Sequence, residues 1–271
     1  MGTEHMMVSL LDRILKLLDQ NNQKSAVLMA GLDWSSAFDR QDPTIAIEKF
    51  IKLGVRSSLI PVLASYLTDR QMRVKFNGEV SEFLKLIGGG PQGALLGETE
   101  YLVQSNDNAD TVKPEDRFKY IDDLSILQLI LLSGILMDYK IHEHIPSDIA
   151  IDEKFLPPSS LKIQENLNEI NTWTQKNLMR LNPTKCNYMI FSRSKEKFST
   201  RLKIGDSVIE RKQTSKILGL QISDDLSWTK NVQEICKKSY SRMTTKNMKK
   251  LSRLFPPNNT DKSQFHTAKD F

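Results

Sequence analysis

The chain has 271 residues, of which 39% are hydrophobic and 26% charged, with a net charge of +5 and a pI near 9.0. That balance reads as globular rather than disordered, and the length allows one large domain or two small ones to bury a core. Cys186 and Cys236 are the only cysteines, so neither a disulfide framework nor a zinc pattern follows, and a reducing intracellular compartment, nucleus or cytoplasm, is expected.

Residues 7–18, MVSLLDRILKLL, carry apolar side chains at helical spacing. SAVLMAGLD follows as a continuous apolar run ending at Asp33, the pattern of a buried strand. DPTIAIEKFIKLG predicts a helix with Asp42 as cap, Pro43 in its first turn and Gly54 at its end. SSLIPVLASYL predicts another, capped by Ser57 or Ser58. In MRVKFNGEVSEFLKL, Asn77-Gly78 between strand-like runs signals a hairpin. IGGGPQGALLG is a glycine-rich loop leading toward a helix, and residues 104–117 read as a polar loop. RFKYIDDLSIL predicts two short strands with Asp122 and Asp123 at the bend. The apolar run at 124–137 is too short to span a bilayer, which needs roughly 20 residues, and no membrane association is expected.

His142 and His144 lack further ligands nearby and read as surface histidines. Residues 145–160 predict an irregular connector. SLKIQENLNEINTWTQKNLMRL places Ile163, Leu167, Ile170 and Trp173 on one helical face. Asn182-Pro183 turns the chain into the strand KCNYMIF. RLKIGDSVIER predicts a hairpin turning at Gly205-Asp206, and SKILGLQIS one further strand. Residues 236–253 hold many Lys and Arg and no acid, which suits either a solvated helix face or a phosphate-contacting one. The last stretch, FPPNNTDKSQFHTAKDF, has no periodicity and is expected to be disordered. The whole predicts an α+β fold, a sheet with helices packed on one face.

Ionised carboxylates in an apolar setting need a partner. If the strands bearing Asp33 and Asp122 pair, they lie about 4.8 Å apart, and the carboxylates share a small volume. Their repulsion raises a pKa unless a cation intervenes. Mg²⁺ suits a site of few carboxylates plus substrate phosphates, and two such ions can clamp a phosphoryl displacement.

The ordered set LDWSSAFD, GGGPQG, YIDD, LNPTKCNYMIF and SKILGLQIS resembles the palm of a reverse transcriptase, of the kind found in LINE-type non-LTR retrotransposons. The resemblance covers roughly residues 5–245. It implies a polymerase-type palm with an antiparallel sheet, with fingers and thumb incomplete in this chain. It also implies an organisation: 1–24 a helix at the junction of fingers and palm, 25–204 the palm, 205–250 a primer-grip-like hairpin and strand with the start of a thumb, and 251–271 a tail.

By the same resemblance Asp33, Asp122 and Asp123 are the metal-binding acids, holding two Mg²⁺ ions with Mn²⁺ as a substitute. Lys185 matches a lysine assigned to the leaving pyrophosphate, or is a solvated charge at a strand entrance. Phe38 matches the aromatic beneath the incoming sugar, where a ring clashes with a 2′-OH, and is equally readable as a core aromatic. Gln92 and Gly93 match the loop along template and nucleotide. Asp39 more readily buttresses its turn than binds metal. The implied activity is RNA-directed DNA synthesis from an RNA template, a DNA primer and dNTPs. A non-catalytic nucleic-acid-binding protein and a two-metal nuclease remain as alternatives.

Overall fold

The structure is a computed structural model that describes residues 2–20, 25–91, 93–131, 153–194 and 197–254. His142, His144, Gln92 and the tail from 255 onward lie outside the described residues. The chain divides into two compact units, Met1–Leu226 and Ser227–Phe271.

In the first unit, helix α1 spans Thr3–Asp19 and buries Met7, Leu10, Ile14, Leu17 and Leu18, the stripe its spacing predicts. Strand β1, Ser25–Leu32, is almost wholly buried because it is paired along both edges. Helix α2, Pro43–Lys52, begins at Asp42, whose carboxylate accepts the N–H groups of Thr44 and Ile45 at 2.9 and 3.1 Å. Helix α3, Ile60–Leu67, corrects an expectation: Leu59 holds the cap position, and Ser57 and Ser58 lie in the preceding turn. Pro61 explains it, because a proline in the first turn removes an N–H that a capping side chain would have served.

A thin arm follows. Strand β2 (Gln71–Met72) pairs with β5 (Leu84–Lys85), and β3 (Lys75–Phe76) with β4 (Glu79–Val80). It turns at Asn77 and Gly78, both at positive φ, as a two-residue hairpin requires. Helix α4 occupies Leu95–Ser105, so the segment read as loop from 104 is still helical at its start. Strands β6 (Arg117–Tyr120) and β7 (Asp123–Leu131) form the predicted pair.

The connector contains a strand, β8 (Glu153–Phe155), which pairs in parallel with β10 (Lys197–Ser199). Between them lie helix α5, Lys162–Lys176, and strand β9, Asn187–Ser192. The N–H of Ile163 in the first turn of α5 donates to Gln128 Oε1 of β7 at 2.7 Å, which ties that helix to the sheet. Strands β11 (Lys203–Ile204) and β12 (Ser207–Val208) make the expected hairpin, and β13 (Glu210–Arg211) joins the edge of β9. The segment SKILGLQIS is two strands rather than one: β14 (Thr214–Ile217) and β15 (Leu220–Ser223). Leu218 and Gly219 both take positive φ and reverse the chain there.

The central sheet has the order β13-β9-β1-β7-β6 and is antiparallel except at the β13–β9 edge. Side chains alternate across it. Ala26, Leu28, Ile126 and Ile190 pack on one face with Ile163, Leu167 and Ile170 of α5 and Tyr101 of α4. Val27, Met29, Leu127, Met189 and Phe191 pack on the other with α1 and with Ile217 and Ile222 of the β14–β15 hairpin. The expected helical layer is thus α4 and α5, and α1 closes the opposite face.

The second unit contains helix α6, Thr229–Leu254, with an exposed Lys238–Glu234 ion pair at 3.3 Å one turn apart. Among the described residues no helix is long and apolar enough to cross a membrane.

Candidate active site

Strand β1 pairs with β7 up to Leu32 opposite Leu124. One residue further out stand Asp33 on one strand and Asp123 on the other. Antiparallel register therefore delivers both carboxylates to the same end of the sheet, on strands about 4.8 Å apart. The β6–β7 hairpin closes with Tyr120 opposite Asp123, leaving Ile121 and Asp122 as its two-residue turn. Ile121 sits at φ +53°, where a β-branched side chain crowds its own backbone and glycine is usual. Strain of this sort persists only where the surrounding strands over-determine it. Asp122 is exposed and Asp123 half-buried. Burial raises the Asp123 carboxyl above its ordinary range, and the negative charges of Asp122 and Asp33 raise it further. The three predicted aspartates thus share one electrostatic neighbourhood.

The backbone of Asp33 is held from the far side of β1. Its N–H donates to the sulfur of Cys186 at 3.3 Å, and its carbonyl accepts the N–H of Asn182 at 2.8 Å. Trp34 bridges to Leu181, and the N–H of Ser35 donates to the Arg180 carbonyl at 2.8 Å. The LNPTKC turn is thereby a splint for the first aspartate. Cys186 is fully buried, and burial pushes its thiol up to about 11, so it remains a thiol at neutral pH. The same turn presents Lys185, whose Nζ lies 3.7 Å from Asp33 Oδ1. Their side chains are 64% and 44% exposed, so this pair is weak and easily exchanged for another partner.

Behind Asp33 the chain makes a turn that carries Phe38 and Asp39. Ser36 takes φ +53°, and the N–H of Asp39 donates to the Ser36 carbonyl at 3.1 Å. Phe38 packs on Tyr101 of α4, with ring centroids 5.1 Å apart. Burial raises the Tyr101 hydroxyl, and the charges of Asp122 and Asp123 raise it further, so this ring links the aromatic pair to the acids.

The glycine loop is bonded to that turn. The N–H of Gly89 donates to the Gln41 carbonyl at 2.8 Å and that of Gly90 to the Phe38 carbonyl at 2.7 Å. A Cβ on Gly90 would overlap the Gln41 side chain, so the approach needs glycine. Gly93 is exposed at φ +79°, with open space where a Cβ would stand. Cys186, Gln41, Glu100 and Tyr101 are the residues that the sequence reading did not single out. Cys186 shares a strand face with Tyr188 and Ile190, a period-two signal that marks burial but not its bond to Asp33.

The donors at this end of the sheet are hard carboxylate oxygens that repel one another, which is the chemistry a small divalent cation relieves. Among the described residues no group of three or more His, Cys, Asp or Glu side chains is gathered closely enough to hold a metal ion.

No protein-family model matches the chain. A stretch of 237 residues, 84% of the chain, is 24% identical to the RNA-directed DNA polymerase from the mobile element jockey of Drosophila melanogaster. The chain spans 23% of that relative's length. Among solved structures, apo telomerase of Candida tropicalis truncated from its C-terminal domain aligns with 83% of this chain and 39% of its own, with TM-score 0.53 and 15% identity. Telomerase of the same organism in complex with the TWJ fragment of telomeric RNA aligns with TM-score 0.50 and 14% identity, over 83% of this chain and 33% of its own. At these identities the likeness to telomerase is one of fold.

Proposed function

We propose that this chain, similar in sequence to a LINE-type reverse transcriptase and built on the palm fold, serves RNA-directed DNA synthesis by nucleotidyl transfer. The observation that carries the reading is the placement of Asp33 beside Asp123 at one end of the central strands, with Asp122 in the adjoining turn, near enough that the charges of Asp122 and Asp33 raise the Asp123 carboxyl. The jockey relative is named for this activity, and one telomerase structure of similar fold is a complex with RNA. An RNA template, a DNA primer and dNTPs are the partners proposed here.

In this reading Asp33 and Asp122 hold two Mg²⁺ ions, with Mn²⁺ as a substitute, and Asp123 supports them from within the sheet. When bound, such ions stabilise charge on the attacking and leaving oxygens of an in-line displacement. The chain's own contribution is placement. Cys186 and Asn182 fix the backbone of Asp33, and the strained Ile121 turn presents Asp122 outward. Phe38, braced by Tyr101, forms the floor beneath the incoming sugar and disfavours a 2′-OH. Gly93 and Gln92 lie along the template and nucleotide. Lys185 exchanges Asp33 for the more highly charged triphosphate and supplies a proton as pyrophosphate departs. Most of the barrier reduction is then positioning and electrostatics.

Primer extension on an RNA template tests this. Asp122→Asn is expected to lower extension by about 100-fold or more, the scale of losing one electrostatic stabiliser, while nucleic-acid binding changes little. Undiminished extension by that variant overturns the assignment.

A further inference from the structure

Two polar side chains lie buried against the glycine loop without hydrogen-bond partners. Glu100 of α4 is 0% exposed, and both its carboxyl oxygens lack a partner. Gln41 is 1% exposed, and neither amide atom has one. Both touch the same backbone position: a Cβ on Gly90 would overlap Gln41 and stand 3.2 Å from Glu100 Oε2. Arg70 lies beside them. Its Nε donates to the Leu67 carbonyl at 3.1 Å, and one Nη2 is shared between the Gly88 carbonyl at 3.4 Å and the Gly89 carbonyl. One guanidinium therefore holds two loop carbonyls while lying within electrostatic reach of a buried acid.

We propose that Glu100 is a positioning residue for the glycine loop: as a neutral carboxyl it leaves Arg70 on the Gly88 and Gly89 carbonyls, and as a carboxylate it draws Arg70 away and loosens the loop. A bare carboxylate is the stronger acceptor, since charge-assisted hydrogen bonds are roughly twice as strong as neutral ones. Burial pushes the Glu100 carboxyl up to about 7, against the opposing charge of Arg70, so the exchange falls near neutral pH. Among the described residues the groups around it are few. Arg70 faces it from the segment after α3. The turn after β1 contributes Asp39 beneath Gly89, and α2 contributes Lys49, which is engaged by the Gln104 carbonyl and Asp107. On its own helix Tyr101 stays protonated.

The sign follows from linkage. The folded carboxyl titrates near 7 and the unfolded one near 4.5, so the folded state holds the extra proton between them. Stability from this group is therefore highest below pH 4.5 and falls as pH rises toward 7. The effect on DNA synthesis rests on the function proposed above; the effect on the loop does not.

The test is hydrogen exchange at the Gly89 and Gly90 amides of the full chain at pH 6 and pH 8, corrected for intrinsic rates, alongside primer extension. In the wild type, protection is expected to fall about tenfold between the two, the change carried by one pK unit of linkage. Glu100→Gln should keep high protection at both pH values, and Arg70→Gln low protection at both. A wild-type response that is flat, or one retained in Glu100→Gln, overturns the proposal. If Glu100→Gln fails to fold, Arg70→Gln decides: a retained tenfold pH response in it is equally fatal. A pH response in exchange with no extension at any pH refutes the polymerase reading and leaves this one standing.

Discussion

At the scale of single residues, the placement of Asp33 depends on groups that bear no charge. Cys186 accepts the Asp33 N–H and fills a fully buried position, so its removal loses both a bond and packing. Cys186→Ala is expected to cost about 1–2 kcal/mol in urea unfolding, within the range of ordinary buried substitutions. Cys186→Ser, which can still accept that N–H, should restore more of the extension rate than of the stability. Equal losses in both variants and both assays would reduce Cys186 to a packing residue. Ile121 behaves oppositely. It is 38% exposed and its backbone is left-handed, so it is only partly buried and is strained. Ile121→Gly trades about 1 kcal/mol of relieved strain against the entropy of a freer unfolded chain. The expected result is a stability within about 1 kcal/mol of wild type, despite loss of the whole side chain. A loss of about 3 kcal/mol or more would show that Ile121 packs in a way its exposure hides.

Among the elements, those with a local signal were legible. Asp42 and Pro43 announced α2, and Asp42→Ala should lower stability by about 1 kcal/mol in the same assay, the usual value of a cap. Asn77-Gly78 announced the arm, and the continuous apolar run before Asp33 announced the central strand. Elements whose form depends on distant partners were not legible. SKILGLQIS becomes a hairpin because Ile217 and Ile222 both reach the core that α1 helps to build, which demands a reversal at Leu218-Gly219. Strand β8 exists only through pairing with β10, more than forty residues later in the chain. The site divides the same way. The three aspartates stood in ordered motifs, while Cys186, Gln41 and Glu100 acquire meaning only from what folding sets against them.

At the scale of the whole molecule, the three hydrophobic cores among the described residues all lie within the first unit. A chain ending at Leu226 is therefore expected to keep a cooperative thermal transition, and its loss would show that the second unit is needed for folding. The second unit carries 10 of the 38 Lys and Arg against only three acids, with Lys230, Lys237, Lys238 and Arg242 among them. Its removal should weaken RNA binding and flatten the dependence of affinity on salt, by about 0.7 to 0.9 in slope for each phosphate that is no longer neutralised. An unchanged slope would assign phosphate binding to the first unit alone. The central strand has one more consequence, and it concerns which genetic lesions the chain can survive. β1 is clamped on both sides in a fixed register, with Val27 and Met29 facing one core and Leu28 and Ala30 the other. A substitution there disturbs one position. An inserted or deleted codon between Ser25 and Leu32 turns every later side chain to the wrong face and moves Asp33 by about 3.3 Å. In-frame length changes in those eight residues should therefore be far more damaging than missense changes, even though no reading frame is broken.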